Sequence, residues 1–125
     1  MKMEMRSFAD PGDISRERII LKALSDLDVG DYAVLKSGVA ARGRSPSAGR
    51  KSAYWFPDRD IKAGDVVVLY TKKGSSGSKP IDEGQTAYFF YWGRDEPLWT
   101  DDRSGAVLLE VAGWQFRRPI EPVSE

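Results

Sequence analysis

The residues best suited to chemistry in this chain are cations set in stretches without acids. From Tyr32 to Pro57 there is no Asp or Glu, while Lys36, Arg42, Arg44, Arg50 and Lys51 supply five positive charges. From Val66 to Ile81 acids are again missing, and Lys72, Lys73 and Lys79 add three more. Arginine and lysine among glycine and serine amides suit phosphate oxygens, because charge and N–H donors arrive together. Arg42, Arg44, Arg50, Lys51, Lys72, Lys73 and Lys79 are therefore the candidate residues for binding nucleic acid or another partner. If the 37–52 and 72–80 loops leave one end of the fold, these charges face one way. The plainer alternative is a pair of solvated loops whose charges only aid solubility.

Aromatic residues are the second candidate set. Trp55, Trp92, Trp99 and Trp114, with five Tyr and five Phe, could form a stacking platform for bases or sugars. More often such residues fill a core. Both faces of the run Ala87–Trp92 cannot be fully buried at a sheet edge, so Tyr88, Phe90 and Trp92 are candidates for an exposed patch. Carboxylates come third. Asp58 with Asp60, or Asp95, Glu96, Asp101 and Asp102, could hold a hard cation or act as an acid–base pair. Neither set has metal-loop spacing, and turns favour Asp for their own hydrogen bonds.

Absences narrow the chemistry further. The chain has no Cys and no His, which excludes disulfides, thiolate nucleophiles, histidine general bases and Cys- or His-ligated metals. With no Asn there is no N-glycosylation acceptor. Lys+Arg and Asp+Glu both number 19, so bulk charge does not draw the protein to a polyanion. The longest apolar runs, Val66–Tyr70 and Ala87–Trp92, fall far short of a membrane span, and the N-terminus lacks a signal-type apolar core. A cytoplasmic protein with no membrane contact and no cofactor is the expectation.

These groups must be positioned by β elements. Residues 1–16 are polar around the breaker cluster Asp10-Pro11-Gly12-Asp13 and are expected to form a flexible arm. Glu17–Leu24 fits helical spacing and also a short β-branched strand; its strand-like surroundings favour the strand. Asp28–Asp31 reads as a turn in which Gly30 can take positive φ. Strands are then expected at Tyr32–Lys36, around Tyr54–Phe56, at Val66–Tyr70 (covered on both faces), at Thr86–Trp92 and at Ala106–Trp114. Tyr54 and Phe56 share one face of their strand and Trp55 takes the other. Residues 37–52 and 72–80 read as flexible loops, and Asp101–Gly105 as a hairpin-type turn after Leu98-Trp99-Thr100.

On these residues the chain resembles the lamin tail domain, an immunoglobulin-like family. Val29-Gly30-Asp31-Tyr32-Ala33-Val34-Leu35-Lys36 is similar to the family's leucine-serine-glycine-tryptophan strand, with Tyr32 at the tryptophan position. Tyr54-Trp55-Phe56-Pro57 followed by Ile61-Lys62-Ala63-Gly64-Asp65-Val66-Val67-Val68 resembles its Phe-Pro turn and strand entry. Trp92-Gly93 and Asp102–Leu108 are similar to its last hairpin. The resemblance covers roughly residues 17 to 114. It implies an interaction module without catalytic residues, with lamin versions binding proteins and DNA.

The expectation is thus an all-β, immunoglobulin-like β-sandwich over residues 17–116, with a flexible arm at 1–16 and a polar tail at 117–125. It should act as a non-catalytic binding or scaffolding module through its loops and one aromatic face. A protein partner is the first expectation and nucleic acid the alternative. An exposed edge strand offers a route to homo-oligomers.

Overall fold

A computed structural model describes residues 1–47, 49, 51–120 and 123. The chain is built from β1 (Met3–Ala9), β2 (Arg18–Ala23), β3 (Leu27–Asp28), β4 (Tyr32–Ala40), β5 (Ser45–Pro46), β6 (Ser52–Trp55), β7 (Asp60–Ile61), β8 (Val66–Tyr70), β9 (Gly77–Pro80), β10 (Thr86–Tyr91) and β11 (Ser104–Glu110). One sheet runs β1-β2-β8-β10-β9. In the other, β4 is flanked by β11 on one side and by β5 and β6 on the other, while β3 and β7 form a short separate ladder. Ile19, Leu21, Val67, Leu69 and Phe90 of the first sheet meet Tyr32, Val34, Leu108 and Phe56 in one core, so the fold is an all-β sandwich. Strand alternation explains the sorting: in β2, Ile19, Leu21 and Ala23 are buried while Arg18, Ile20 and Lys22 face out.

The pair β8/β10 is parallel, a feature that the antiparallel sheets of an immunoglobulin sandwich lack. The chain leaves β8, passes beyond the position β10 will fill, forms β9, and turns back between them. Asp65 fixes this arrangement. Its carboxylate accepts the Lys62 N–H (3.0 Å) within its own turn and the Thr86 N–H (2.9 Å) at the start of β10. Gly64, at φ +90°, makes the turn.

A second buried acid, Glu17, has no exposed surface and holds three segments together. Its carboxylate accepts N–H groups from Gly12 (2.8 Å), Leu98 (2.9 Å) and Trp99 (3.1 Å), and the Thr71 hydroxyl. Four donors on two oxygens satisfy an acceptor-only group without a cation.

Several elements depart from expectation. Residues 3–9 are not an arm: β1 pairs along β2, burying Met3, with a bulge between Met5 and Ser7. Its pattern is concealed because an edge strand leaves most of its residues exposed. Residues 37–52 are only partly loop, since β4 continues to Ala40 and β5 folds back on it. Its buried residue is the polar Ser37, and Gly38, Val39 and Ala40 are exposed, so little apolar signal marks it. Residues 77–80 form β9, held to β10 by backbone hydrogen bonds rather than by apolar side chains. Leu98 and Trp99 form no hairpin with β11, which pairs with β4 instead; they are buried where Glu17 binds their amides. β11 ends at Glu110, ahead of the expected Trp114. Gly30 does not take positive φ; a Cβ there would strike the Asp58 carboxylate, so close approach demands glycine.

Glu17→Gln should lower stability by about 2–4 kcal/mol, because one amide nitrogen would face N–H donors; urea unfolding measures it. Tyr32 supplies a second test. Its hydroxyl donates to Glu110 Oε2 at 2.8 Å, and burial together with that carboxylate pushes its pKa up to about 12. The folded value exceeds the unfolded one, so this contribution is full below pH 10 and lost as pH rises toward 12. Tyr32→Phe should therefore flatten the alkaline loss of stability seen in pH-dependent urea melts.

Candidate functional site

Along the inner face of β4 the order is Tyr32, Val34, Lys36, Gly38. The apolar core therefore stops at Val34, and the next inward side chain is a half-buried lysine. Its cross-strand neighbours are Ser52 and Ala106, and Ser104 lies opposite Gly38. Across this open mouth the chain beyond β10 is tied down by Gly93 N–H to Lys72 C=O (3.2 Å) and Arg94 N–H to Thr71 C=O (2.9 Å). The Glu17 anchor then fixes Leu98 and Trp99, which carries the segment back toward β11.

The result is a groove of about 660 Å³ lined by Lys36, Lys51, Ser52, Arg94, Asp101, Arg103 and Ser104, with Ser37 and Gly38 at its side. Four cations face one carboxylate. Lys36, Arg94 and Arg103 have no ion-pair partner among the described residues. Asp101 is already engaged, accepting the Arg103 N–H at 2.8 Å. The Ser37 hydroxyl donates to the Gly38 carbonyl at 2.9 Å, leaving Ser52 and Ser104 as the hydroxyls that could meet a ligand. An anion with several oxygens suits such a lining: each cation offers charge-assisted hydrogen bonds in a partly enclosed, less screened site.

The sequence candidates divide. Lys51 lines the groove. Lys72 and Lys73 lie beside it through the Thr71–Arg94 hydrogen bond, with Lys73 Nζ 2.9 Å from Asp95. That pair raises the Lys73 pKa and lowers that of Asp95, mainly through their mutual hydrogen bond. Lys79 sits opposite Ala87, at the other end of β10, so the two loops bring only some of their cations together. Arg42 and Arg44 lie on the exposed turn beyond β4, where Arg44 lines a separate hollow with Val39, Pro46 and Val107. Arg50 lies outside the described residues.

The aromatic candidates are displaced by one residue. Phe90 is core, and Tyr88 and Trp92 pack against it half-buried, so these three do not form the exposed patch. The outward set is Tyr70, Phe89 and Tyr91, since parallel pairing puts Phe89 beside Val68 and Tyr91 beside Tyr70. Tyr70 stacks on Tyr91 at 5.2 Å, Lys72 Nζ lies 5.0 Å over Tyr70, and Lys79 Nζ lies 5.8 Å over Phe89. These ring faces are already occupied, which leaves little open surface for a stacked base. Of the candidate carboxylates, Asp101 accepts the Arg103 N–H (2.8 Å) and Asp95 pairs with Lys73 (2.9 Å). Outside that set, Asp28 accepts N–H groups from Gly30 (2.8 Å) and Arg59 (3.0 Å), and Asp26 that of Ala63 (2.9 Å).

Arg94 and Arg103 escape a reading by local charge because Asp95, Glu96, Asp101 and Asp102 surround them in sequence. Lys36 carried a usable signal: it continues the period-two inward face of Tyr32 and Val34. Comparison of the chain with protein-family models finds no match, and neither does comparison with the curated proteins.

A half-buried lysine without an acid costs desolvation energy. Lys36→Met should thus leave stability unchanged or raise it by up to about 1 kcal/mol in urea melts, in contrast to ordinary core-rim substitutions.

Proposed function

We propose that this protein is a non-catalytic binding module that holds the phosphate backbone of a nucleic acid in the groove between its sheets. The observation that carries it is the convergence of Lys36, Arg94 and Arg103, unpaired, with Lys51 around one engaged carboxylate on a chain of zero net charge. Charges so placed gain affinity by displacing counterions from a polyphosphate. Recognition would be of backbone rather than sequence, since the lining is dominated by cations and hydroxyls suited to phosphate oxygens and holds no Asn or Gln for adenine readout. The lamin-tail resemblance supports the same class of activity, an interaction module free of catalytic residues.

A protein partner is the second reading, favoured by the outward face of β4, β6 and β11. There Val39, Leu109 and Trp55 are 39%, 41% and 50% exposed, an apolar surface with no charge among those three residues.

Fluorescence anisotropy with labelled single- and double-stranded oligonucleotides tests the first reading. About four phosphate contacts give a log K against log salt slope near −2.8 for single strands and −3.6 for duplex. Affinity should then fall roughly 50- to 150-fold between about 50 and 200 mM salt. Lys36→Ala, Arg94→Ala and Arg103→Ala together should abolish binding, while Arg42→Ala with Arg44→Ala should leave most of it. A slope near zero, or a triple variant that binds normally, rejects the proposal.

A further inference from the structure

The strands at the margins of the two sheets are blunted to very different degrees. β1 carries a bulge and the charged pair Glu4–Arg6. β9 is four residues long and contains Lys79 and Pro80. β5 has two residues, one of them Pro46, and β6 has four and runs into Pro57. Short length, bulges, lysine and proline are the usual means of preventing one edge from pairing with another. β11 has none of them: seven residues in unbroken register with β4, and a single charge, Glu110, at its end.

Nothing among the described residues pairs with its outer edge. The following segment turns away, with the Val111 N–H bonded to the Asp31 carbonyl (2.7 Å) and Trp114 packed on Trp55 of β6 (5.7 Å). The neighbouring margin is also open. Met5 and Phe8 alternate onto the interior side of β1 yet remain 37% and 45% exposed.

The β11 sequence is complementary to itself in the antiparallel sense. Ser104, Gly105 and Ala106 are small; Leu108, Leu109 and Glu110 are large; Val107 is the midpoint. Pairing two copies about Val107 sets Leu108 against Ala106, Leu109 against Gly105 and Glu110 against Ser104. Every large side chain then meets a small one, and no like charges oppose. A closed two-fold arrangement uses the same patch twice and leaves no edge to propagate a fibre.

We propose that β11 pairs antiparallel with β11 of a second copy about a two-fold axis at Val107, joining the two β4 sheets into one continuous sheet. This inference stands independently of the ligand assigned to the groove.

The full chain contains no cysteine, so Val107→Cys introduces a unique thiol. Opposed residues in an antiparallel pair have Cα atoms about 4.5–5.5 Å apart, within disulfide range. Mild oxidation should link Val107→Cys into a covalent dimer and leave Ser78→Cys, on the β9 edge, unlinked. Sedimentation of the wild type from micromolar to submillimolar concentration should show a dimer of the 14.0 kDa chain. Val107→Lys and Val107→Glu should each weaken association at least about tenfold, and an equimolar mixture of the two should restore it as a heterodimer. A wild type that stays monomeric throughout overturns the proposal. So do equal linking at positions 78 and 107, and charge variants that dimerise as well alone as together. The cysteine result holds the proposal to account even if a charged variant fails to fold.

Discussion

The tertiary arrangement depends on one buried carboxylate. Glu17 sits just before β2, and its oxygens take amides from the turn before it and from residues 98 and 99, more than eighty positions away, with a hydroxyl from the end of β8. Polar backbone cannot enter a low-dielectric interior unpaired without a cost of about 1–3 kcal/mol per group. One acid removes that penalty for the buried amides of Leu98 and Trp99, so the irregular and otherwise largely exposed 93–103 segment is anchored in the core at its middle. Without it, the segment would have no reason to cross the mouth of the sandwich, and Arg94 and Arg103 would not face Lys36.

Asp65 does the corresponding work at the opposite end of β8. By binding the Thr86 amide it sets where β10 begins, and the parallel register follows from that point. That register decides which of five consecutive aromatic residues look inward. Tyr88 and Phe90 join the core cluster, while Phe89 and Tyr91 stand outside with Tyr70 under lysine side chains. The outward rings are shielded by cations, whereas Lys36, Arg94 and Arg103 in the groove have no ion-pair partner among the described residues.

The mouth is also where the apolar core pattern gives way to charge. Lys36 continues the inward face of β4 beyond the point where the core ends, and no acid among the described residues pairs with it. The margins of the sheets carry the same logic: three edges are protected against pairing, and β11 is left bare with a sequence that fits its own reverse.

Much of the architecture is legible from the chain itself. The continuous apolar run Val66–Tyr70 and the alternation Tyr54/Trp55/Phe56 mark strands because such patterning is a local property, whereas the strand at 17–24 is favoured only by its surroundings. Equally legible is the absence of thiol, imidazole and disulfide chemistry. Hidden from it were elements with little apolar signal, β1, β5 and β9, whose order comes from backbone pairing with distant partners. Hidden too was the groove, since Lys36, Arg94 and Arg103 are separated in sequence and two of them lie among acids. Local composition determined that this is a β-protein without those reactive side chains. Only folding decided which charges meet, because buried polar staples and strand register act between residues that sequence proximity does not relate.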